Sequence, residues 1–531
     1  MKKRVAVLLD DHRISKWQLA ALEAASESVE IVLVLNCQNT KTKKNYSKHF
    51  LYYLLNILSL KNHMTKKEEV SFSGAEVINF SSNYEDNWQT FPSSIYKDLV
   101  SKKVDLIIKF GMSLLRLDER KTIPPIISYH HGDPSKYRGR PAGFYEILNG
   151  EKLSGIIVQQ LTNKLDAGVI YAFAQSKVVK YSYKKTALNF YSNSAPLLNK
   201  AIFNLSNNIE IQIIANGKSY RLPSNLQVMQ FALATLVNAI SKLLYGLFFE
   251  KRWKVAVTKN SLSLQNQDVL TSSDFNVLPI TENYNFYADP FFSHDGTQIR
   301  LEALDNKTGL GDILTIETSD FFKQKVLFKG AHYSYPYSFS YKGTEYLMPE
   351  VASHSAQYFC SANDKFEQKY YLRGLEYKRI VDATFLLKND ECYLFFGEDK
   401  TAHTLLHLWV SDSPFGIFKP HPMNPIAVSP SDARMGGKIL NNAGNLLRFG
   451  QNNAGEYGES LTVMKITNLS RTSYEELKIG SITIDNFKGP HSIGFNSDMS
   501  LILIDYYNNE FSVFASVRRI KAKIGKNSSI E

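Results

Sequence analysis

Five short polar words recur in the second half of the chain at intervals of roughly fifty residues: Tyr287-Ala-Asp-Pro-Phe, Ser334-Tyr-Pro-Tyr, Ile380-Val-Asp-Ala-Thr, Asp432-Ala-Arg-Met-Gly and Gly489-Pro-His-Ser. Between them, runs rich in Tyr, Phe, Ile and Val are broken by turn pairs such as Asp295-Gly296, Lys342-Gly343 and Asn389-Asp390. A hairpin repeat of this length cannot bury its apolar face alone, so neighbouring units must stack on one another. The spacing predicts an all-β propeller over residues 256–520, one blade per word and five in all.

Residues 1–210 follow another rule. Strand candidates Val5–Leu9, Glu30–Leu35, Asp105–Phe110 and Pro125–Tyr129 are separated by helix-like stretches such as Trp17–Ala25 and Phe50–Leu60. That alternation predicts an α/β, Rossmann-like domain with a parallel sheet. A chain of 531 residues is in any case too long for one core, and it reads as multidomain. Residues 211–255 read as a linker carrying a long apolar helix, Leu226–Phe249, broken by Gln230, Asn238 and Lys242. A helix packed against protein, a helix lying on a membrane surface and a membrane span are all open for it. Residues 521–531 read as a flexible tail.

Charge and cysteine usage narrow the function classes. The formal net charge is +11, with basic runs at Lys41–Lys44 and Lys61–Lys67, yet no nucleic-acid motif is present. Nucleotide phosphates and membrane surfaces are the anions expected, and no nucleic acid. The three cysteines, Cys37, Cys360 and Cys392, are far apart and lack metal-ligand spacing, which fits a reducing cytoplasm and no metal. The apolar run after Met1 meets Asp10 and Asp11 at once, too short for a signal peptide and suited to a buried first strand. Aromatics make up 12% of the chain, which serves β-rich packing or stacking on sugars.

The informative stretch of the first domain is Ser128-Tyr-His-His-Gly-Asp-Pro-Ser-Lys-Tyr-Arg-Gly139, then Pro141 to Gly150, Gly155-Ile-Ile-Val-Gln-Gln and Asp166-Ala-Gly168. It resembles the core of the formyltransferase family, whose pattern is Asn-x-His, a basic residue and Gly, a helix ending near Asn-Gly, then Asp-x-Gly. The resemblance extends over most of residues 1–205 and is specific over 105–170. It implies transfer of a formyl group from 10-formyltetrahydrofolate to an amine, with His130 and Asp166 as the catalytic pair. The chemistry fits those residue types: a tetrahedral intermediate needs a donor for its oxyanion and a base for the amine proton. The resemblance assigns Gly111, Met112, Ser113 and Leu114, with Gly168, to the folate, recognised through backbone groups. The family's Asn falls on Ser128 here, and the replacement donor expected is His131 or a water held by Ser128. Asp133 and Arg138 are expected to touch substrate.

Residues 280–515 resemble the propellers of certain glycoside hydrolases, and more closely the amino-terminal region of plant glucosamine inositolphosphorylceramide transferase. Tyr287-Ala-Asp-Pro-Phe-Phe, Tyr346-Leu-Met-Pro-Glu350, Val381-Asp-Ala-Thr-Phe, Arg434-Met-Gly-Gly, Tyr457-Gly458 and Pro490-His-Ser carry the likeness. It implies that Asp289, Glu350, Asp382, Arg434 and His491 converge on the axis from the inner strands, one per blade. Sugar binding, glycoside hydrolysis and purely structural hydrogen bonding stay open for that cluster.

The expectation is a cytoplasmic formyltransferase, with membrane association open, of surface-polysaccharide (O-antigen) biosynthesis, acting on a nucleotide-linked amino sugar without metal. The propeller would bind a glycan or nucleotide sugar. The alternative is a silent formyltransferase scaffold bearing a carbohydrate-binding or glycosidase-like propeller. Oligomeric state is not legible.

Overall fold

The computed structural model describes residues 2–39, 46–59, 61–85, 88–164 and 166–520. The basic run Lys41–Lys44, Leu60 at the end of one helix candidate, and the tail 521–531 lie outside the described residues. The chain divides into two compact units, Met1–Ile240 and Ser241–Glu531.

In the first unit, strands β1 (Lys3–Leu9), β2 (Val29–Cys37), β3 (Glu76–Phe80), β4 (Leu106–Lys109), β5 (Ile126–His130), β6 (Leu153–Gln160) and β7 (Val169–Lys177) form one sheet. Its order is β7-β6-β5-β4-β1-β2-β3. β1 to β5 run parallel, while β6 and β7 add an antiparallel edge. Both faces are covered, which is why Val5–Leu9 is an unbroken apolar run, buried throughout. On one face α3 (Ser93–Ser101) packs Ile95 and Leu99 against Leu8, Leu33 and Ile107. On the other, Trp17 of α1 (Lys16–Ala24) meets Phe110, Tyr129 and, from α5 (Tyr183–Ser206), Tyr191. Short α4 (Phe144–Leu148) and the longer α2 (Tyr46–Ser59) complete the unit's core with Phe231 of α6 (Asn225–Phe248).

The exposure of α6 bears on one of the three alternatives left open for it. Only Val228 and Phe231 are buried along it, while Leu226, Leu233, Leu236 and Leu243 are each more than half exposed. It is not a packed core helix.

The second unit is a propeller of five sheets. Its first three blades are Tyr284–Phe328, Ser334–Tyr371 and Ile380–Pro420, each a run of sequential antiparallel strands. The fourth combines Arg434–Met435, Asn445–Asn452, Ser460–Leu469 and Tyr474–Ile484, and takes Asn266–Leu270 as an extra parallel outer strand. The fifth joins Ile493–Phe495 and Leu501–Phe511 to Phe249–Lys259, a strand that precedes the first blade in sequence. That pairing runs from Phe249 opposite Phe511 to Lys259 opposite Leu501 and closes the ring. The propeller therefore begins at Phe249, seven residues before the expected 256, because its closing strand follows α6 without a break.

The polar words have a local cause. Register breaks fall at Ala288/Phe291, Ser334/Tyr337 and Val381/Thr384, and within them Asp289, Tyr335 and Asp382 have φ of 49°, 42° and 51°. Each is a bulge residue at the same place in its blade, unpaired with the neighbouring strand.

Candidate functional site

β5 carries its residues alternately to the two faces of the sheet. Ile126 belongs to the cluster around Ile107, whereas Tyr129 packs on Trp17. Ser128 and His130 therefore share the first face, at the carboxyl ends of the parallel strands. His130 Nδ1 lies 3.5 Å from Asp166 Oδ1, and both side chains are largely buried. The other carboxylate oxygen of Asp166 accepts the Gly139 N–H at 2.7 Å, fixing the acid's orientation. Asp166 has φ of 46°, and a Cβ at Gly168 would sit 1.8 Å from the Gln160 carbonyl oxygen, so the Asp-x-Gly turn needs its glycine. Gln159 Oε1 accepts the Gly168 N–H at 3.0 Å.

His130 Nε2 makes a 3.1 Å hydrogen bond to the Tyr137 carbonyl. A carbonyl only accepts, so this nitrogen carries the proton. Both ring nitrogens thus face groups of the protein itself. The cavity beside the ring, lined by Tyr137, Arg138, Arg140, Glu146 and Tyr220 among others, measures about 10 Å³, room for one water. Burial raises the Glu146 carboxyl to about 7, and the Ser154 hydroxyl bonded to it opposes that shift.

Lys109, at the end of β4, was not singled out from the sequence. It is in register with Ser128 on the neighbouring strand. Burial lowers its ammonium to about 8, with Asp10 and then Asp166 pulling it back up. A lysine ending an otherwise apolar strand was the available signal.

One expectation is corrected, and two further sets of residues have polar groups already engaged within the chain. His131 points to the opposite face from His130, its Nε2 2.9 Å from Ser194 Oγ and its ring among Trp17, Phe190 and Tyr191. Burial drops it to about 3, so it is a neutral packing residue and not a replacement donor at Ser128. Asp133 caps its own turn, accepting Ser135 N–H at 2.9 Å and Oγ at 2.6 Å. Within the loop assigned to folate, the Gly111 and Met112 N–H groups donate to Leu8 O and Asp10 Oδ1, and the Ser113 and Leu114 carbonyls accept from Lys109 Nζ and Gln89 N–H. Those four backbone groups are taken by the chain, and Met112 lies fully in the core. Arg138 lines the small cavity while its Nε donates to Gly217 O at 2.8 Å.

In the second unit, residues from all five blades meet at the axis. Arg434 donates to both oxygens of Asp382, Nη2 at 3.3 Å, and Gln451 Nε2 adds a bond to the same carboxylate at 3.1 Å. Glu350 accepts the Asp382 backbone N–H at 3.1 Å; burial, then Asp382, raises its carboxyl well above the usual range, against the pull of Arg434. His491 lies between two carboxylates, Nε2 3.0 Å from Asp289 and Nδ1 2.7 Å from Asp505. Asp505 also accepts the backbone N–H groups of Asp289, His491 and Ser492 and the Ser492 hydroxyl, at 2.9 to 3.0 Å.

Asp505 and Gln451 come from second strands and no polar word marks them. Glu350 is corrected in the same way: it ends the second strand of its blade, and the inner-strand place belongs to Tyr335. Asp289, His491 and Asp505 bring three ligand atoms within 4.8 Å of one another, a spacing a cation would accept. Burial lowers the His491 pKa, but Asp505 and Asp289 outweigh it and hold the ring at about 10. Asp289 and Asp382 each already face a basic side chain and are 5% and 1% exposed, which leaves neither carboxylate free as a glycosidase's acid or base.

Residues 255–497 match the family model described as glucosamine inositolphosphorylceramide transferase 1, N-terminal. The rice (Oryza sativa subsp. japonica) protein of that name is 32% identical over 210 residues, covering 37% of this chain and 28% of its own length. The Arabidopsis thaliana protein is 31% identical over 231 residues, covering 39% and 29%. The chain thus spans under a third of these curated relatives. Among solved structures, the phosphoribosylglycinamide formyltransferase of Anaplasma phagocytophilum covers 42% of this chain and 96% of its own at 18% identity, TM-score 0.28. A sugar N-formyltransferase from a Shewanella species covers 44% and 88% at 12% identity, also with TM-score 0.28.

Proposed function

We propose that the first unit transfers a formyl group from 10-formyltetrahydrofolate to the amine of a sugar, and that the propeller recognises the sugar-bearing molecule. The observation that carries this reading is the His130–Asp166 pair, an oriented imidazole beside a backbone-anchored carboxylate. The amine nitrogen attacks the formyl carbon. His130 takes the amine proton, and the folate nitrogen leaves with a proton in return. For this the ring must exchange the Tyr137 carbonyl for the amine and carry its proton on Nδ1, toward Asp166, so that Nε2 keeps a lone pair. The curated relatives are named for glucosamine and inositolphosphorylceramide, which favours an amino sugar, nucleotide-linked or on a glycan, as acceptor class. A folate donor and a nucleotide sugar place the reaction in the cytoplasm.

A second reading is favoured by the closed geometry. Ser128 replaces the amide donor, four of the eight backbone groups of residues 111–114 are engaged, and the cavity has room for one water. It makes the first unit a scaffold without turnover. One experiment separates the two: the protein, 10-formyltetrahydrofolate and a panel of free and nucleotide-linked amino sugars, read by release of tetrahydrofolate. Transfer that falls about a hundredfold or more in His130→Ala and in Asp166→Asn supports catalysis. No donor consumption with any acceptor leaves the scaffold.

A further inference from the structure

An apolar, outward-facing surface runs along α6 and α2. Along α6, Leu226, Met229, Leu233, Leu236, Val237 and Ile240 are 49% to 65% exposed, and Leu243, Leu244 and Leu247 extend the row. The helix has 24 residues and a mean hydropathy of 1.6 in its most apolar stretch. α2 shows a second such row: Phe50, Leu54, Ile57 and Leu58 are 44% to 70% exposed at helical spacing. The two helices are fastened together. His49 bonds the Pro223 carbonyl at 2.8 Å, Leu51 N–H donates to Asn225 Oδ1 at 3.0 Å, and Asn225 Nδ2 donates to Ser47 O at 2.9 Å. Their inward faces share one core through Tyr52, Val228 and Phe231.

From these observations we infer that α2 and α6 lie on a lipid bilayer, apolar rows sunk into the headgroup boundary. Three features choose this occupant. Neither Tyr46–Ser59 nor Asn225–Phe248 contains an acidic residue, while Lys48 and Lys242 lie within them, so nothing in either helix repels an anionic surface. Against a second copy of the chain, the α6 row does have zipper-like spacing, but its flanking positions Gln230, Ala232, Ala239 and Gly246 carry no charge to set a partner, and Val237 and Leu244 widen the row beyond a narrow seam. Against a span, the helix is one-sided: Val228 and Phe231 are held in the protein core, and Asn238 and Lys242 would meet hydrocarbon. An exposed apolar row on a helix held in the protein core through Val228 and Phe231 is the geometry of interfacial attachment.

The test is flotation of the full chain with vesicles of phosphatidylcholine alone and with added phosphatidylserine. Binding to both, stronger with the anionic lipid and released by alkaline carbonate, is the expected result. The exposed-face variants Leu236→Glu/Ile240→Glu and Leu54→Glu/Leu58→Glu should each cut the bound fraction about tenfold or more, with unchanged melting temperature. Failure to float with either vesicle overturns the inference. So does retention after carbonate, which marks a span, or a dimer in light scattering that the same variants dissociate, which marks a second copy.

Discussion

An imidazole acts as a base only through a ring nitrogen that keeps its lone pair, and His130 spends its Nε2 proton on the Tyr137 carbonyl. The weak point of the site is the next residue but one on the same face. Ser128 stands in register between Lys109 and Gln159, on a short side chain, where the family pattern has an amide. If the site turns over, Ser128→Asn restores a donor for the oxyanion, and the transfer rate is expected to rise on the order of tenfold to a hundredfold. Steady-state release of tetrahydrofolate by the two proteins checks this; an unchanged or lower rate removes the oxyanion role from position 128. At this scale the sequence was legible where spacing and glycines fix geometry. His130, Asp166 and the turn at Gly168 are such positions. It misled at His131, because adjacency in sequence is opposition across a strand.

Elements explain why the axis of the propeller was legible only in part. The polar words mark bulged inner strands, whose unpaired residues turn to the centre, so Asp289 and Asp382 could be read from the repeat. Asp505 sits on a second strand, where an acid among apolar residues looks like any solvent-facing position, and Glu350, also on a second strand, is reached through the stretch Tyr346-Leu-Met-Pro-Glu350 and not through the repeat. Yet Asp505 ties the fifth blade to the first, accepting N–H groups from both. Asp505→Ala leaves those donors buried without their acceptor and His491 with Asp289 as its one remaining carboxylate, a loss of about 3–5 kcal/mol. The pair also sets a pH window. The His491 pKa in the folded protein, about 10, lies above the ordinary 6.5, so its contribution is full below about 6.5 and fades as pH rises through 10. Asp505 is the reverse case: burial pushes it up, but His491 and the bonded N–H groups hold it below 3.8, so its contribution is lost only in strong acid. Thermal unfolding of the second unit should be level in this contribution below about pH 6.5 and drop between about pH 6.5 and 10. In His491→Gln, a protein already less stable at pH 7, that alkaline drop should be shallower. Parallel alkaline slopes in the two proteins would sink the assignment.

At the scale of the whole chain, the repeat announced five blades but concealed how the ring is closed. Phe249–Lys259 reads as the end of a linker because it follows an apolar helix and precedes the first polar word. Its partner, Leu501–Phe511, lies about 250 residues away. No local pattern reveals such a pairing, and contacts of that separation form late because the chain entropy is lost before they contribute. The closing strand is also paired on its other edge, Ala256 and Val257 facing Val277 and Asn276, so each of its N–H groups at that level has a ladder to join. Val257 is buried, opposite Leu503. Val257→Pro removes a donor from a strand with neighbours on both sides, at a cost of about 3 kcal/mol or more. If this strand is the clasp of the ring, the damage spreads: all five blades should lose protection from limited proteolysis together, and the unit's melting transition should move down as one. The blander outcome is local, with cleavage confined to the edge near 249–259 and the cores around Phe339 and Phe395 still resistant. Peptide mapping of the first cleavage sites distinguishes a closed ring from five blades that stand on their own neighbours.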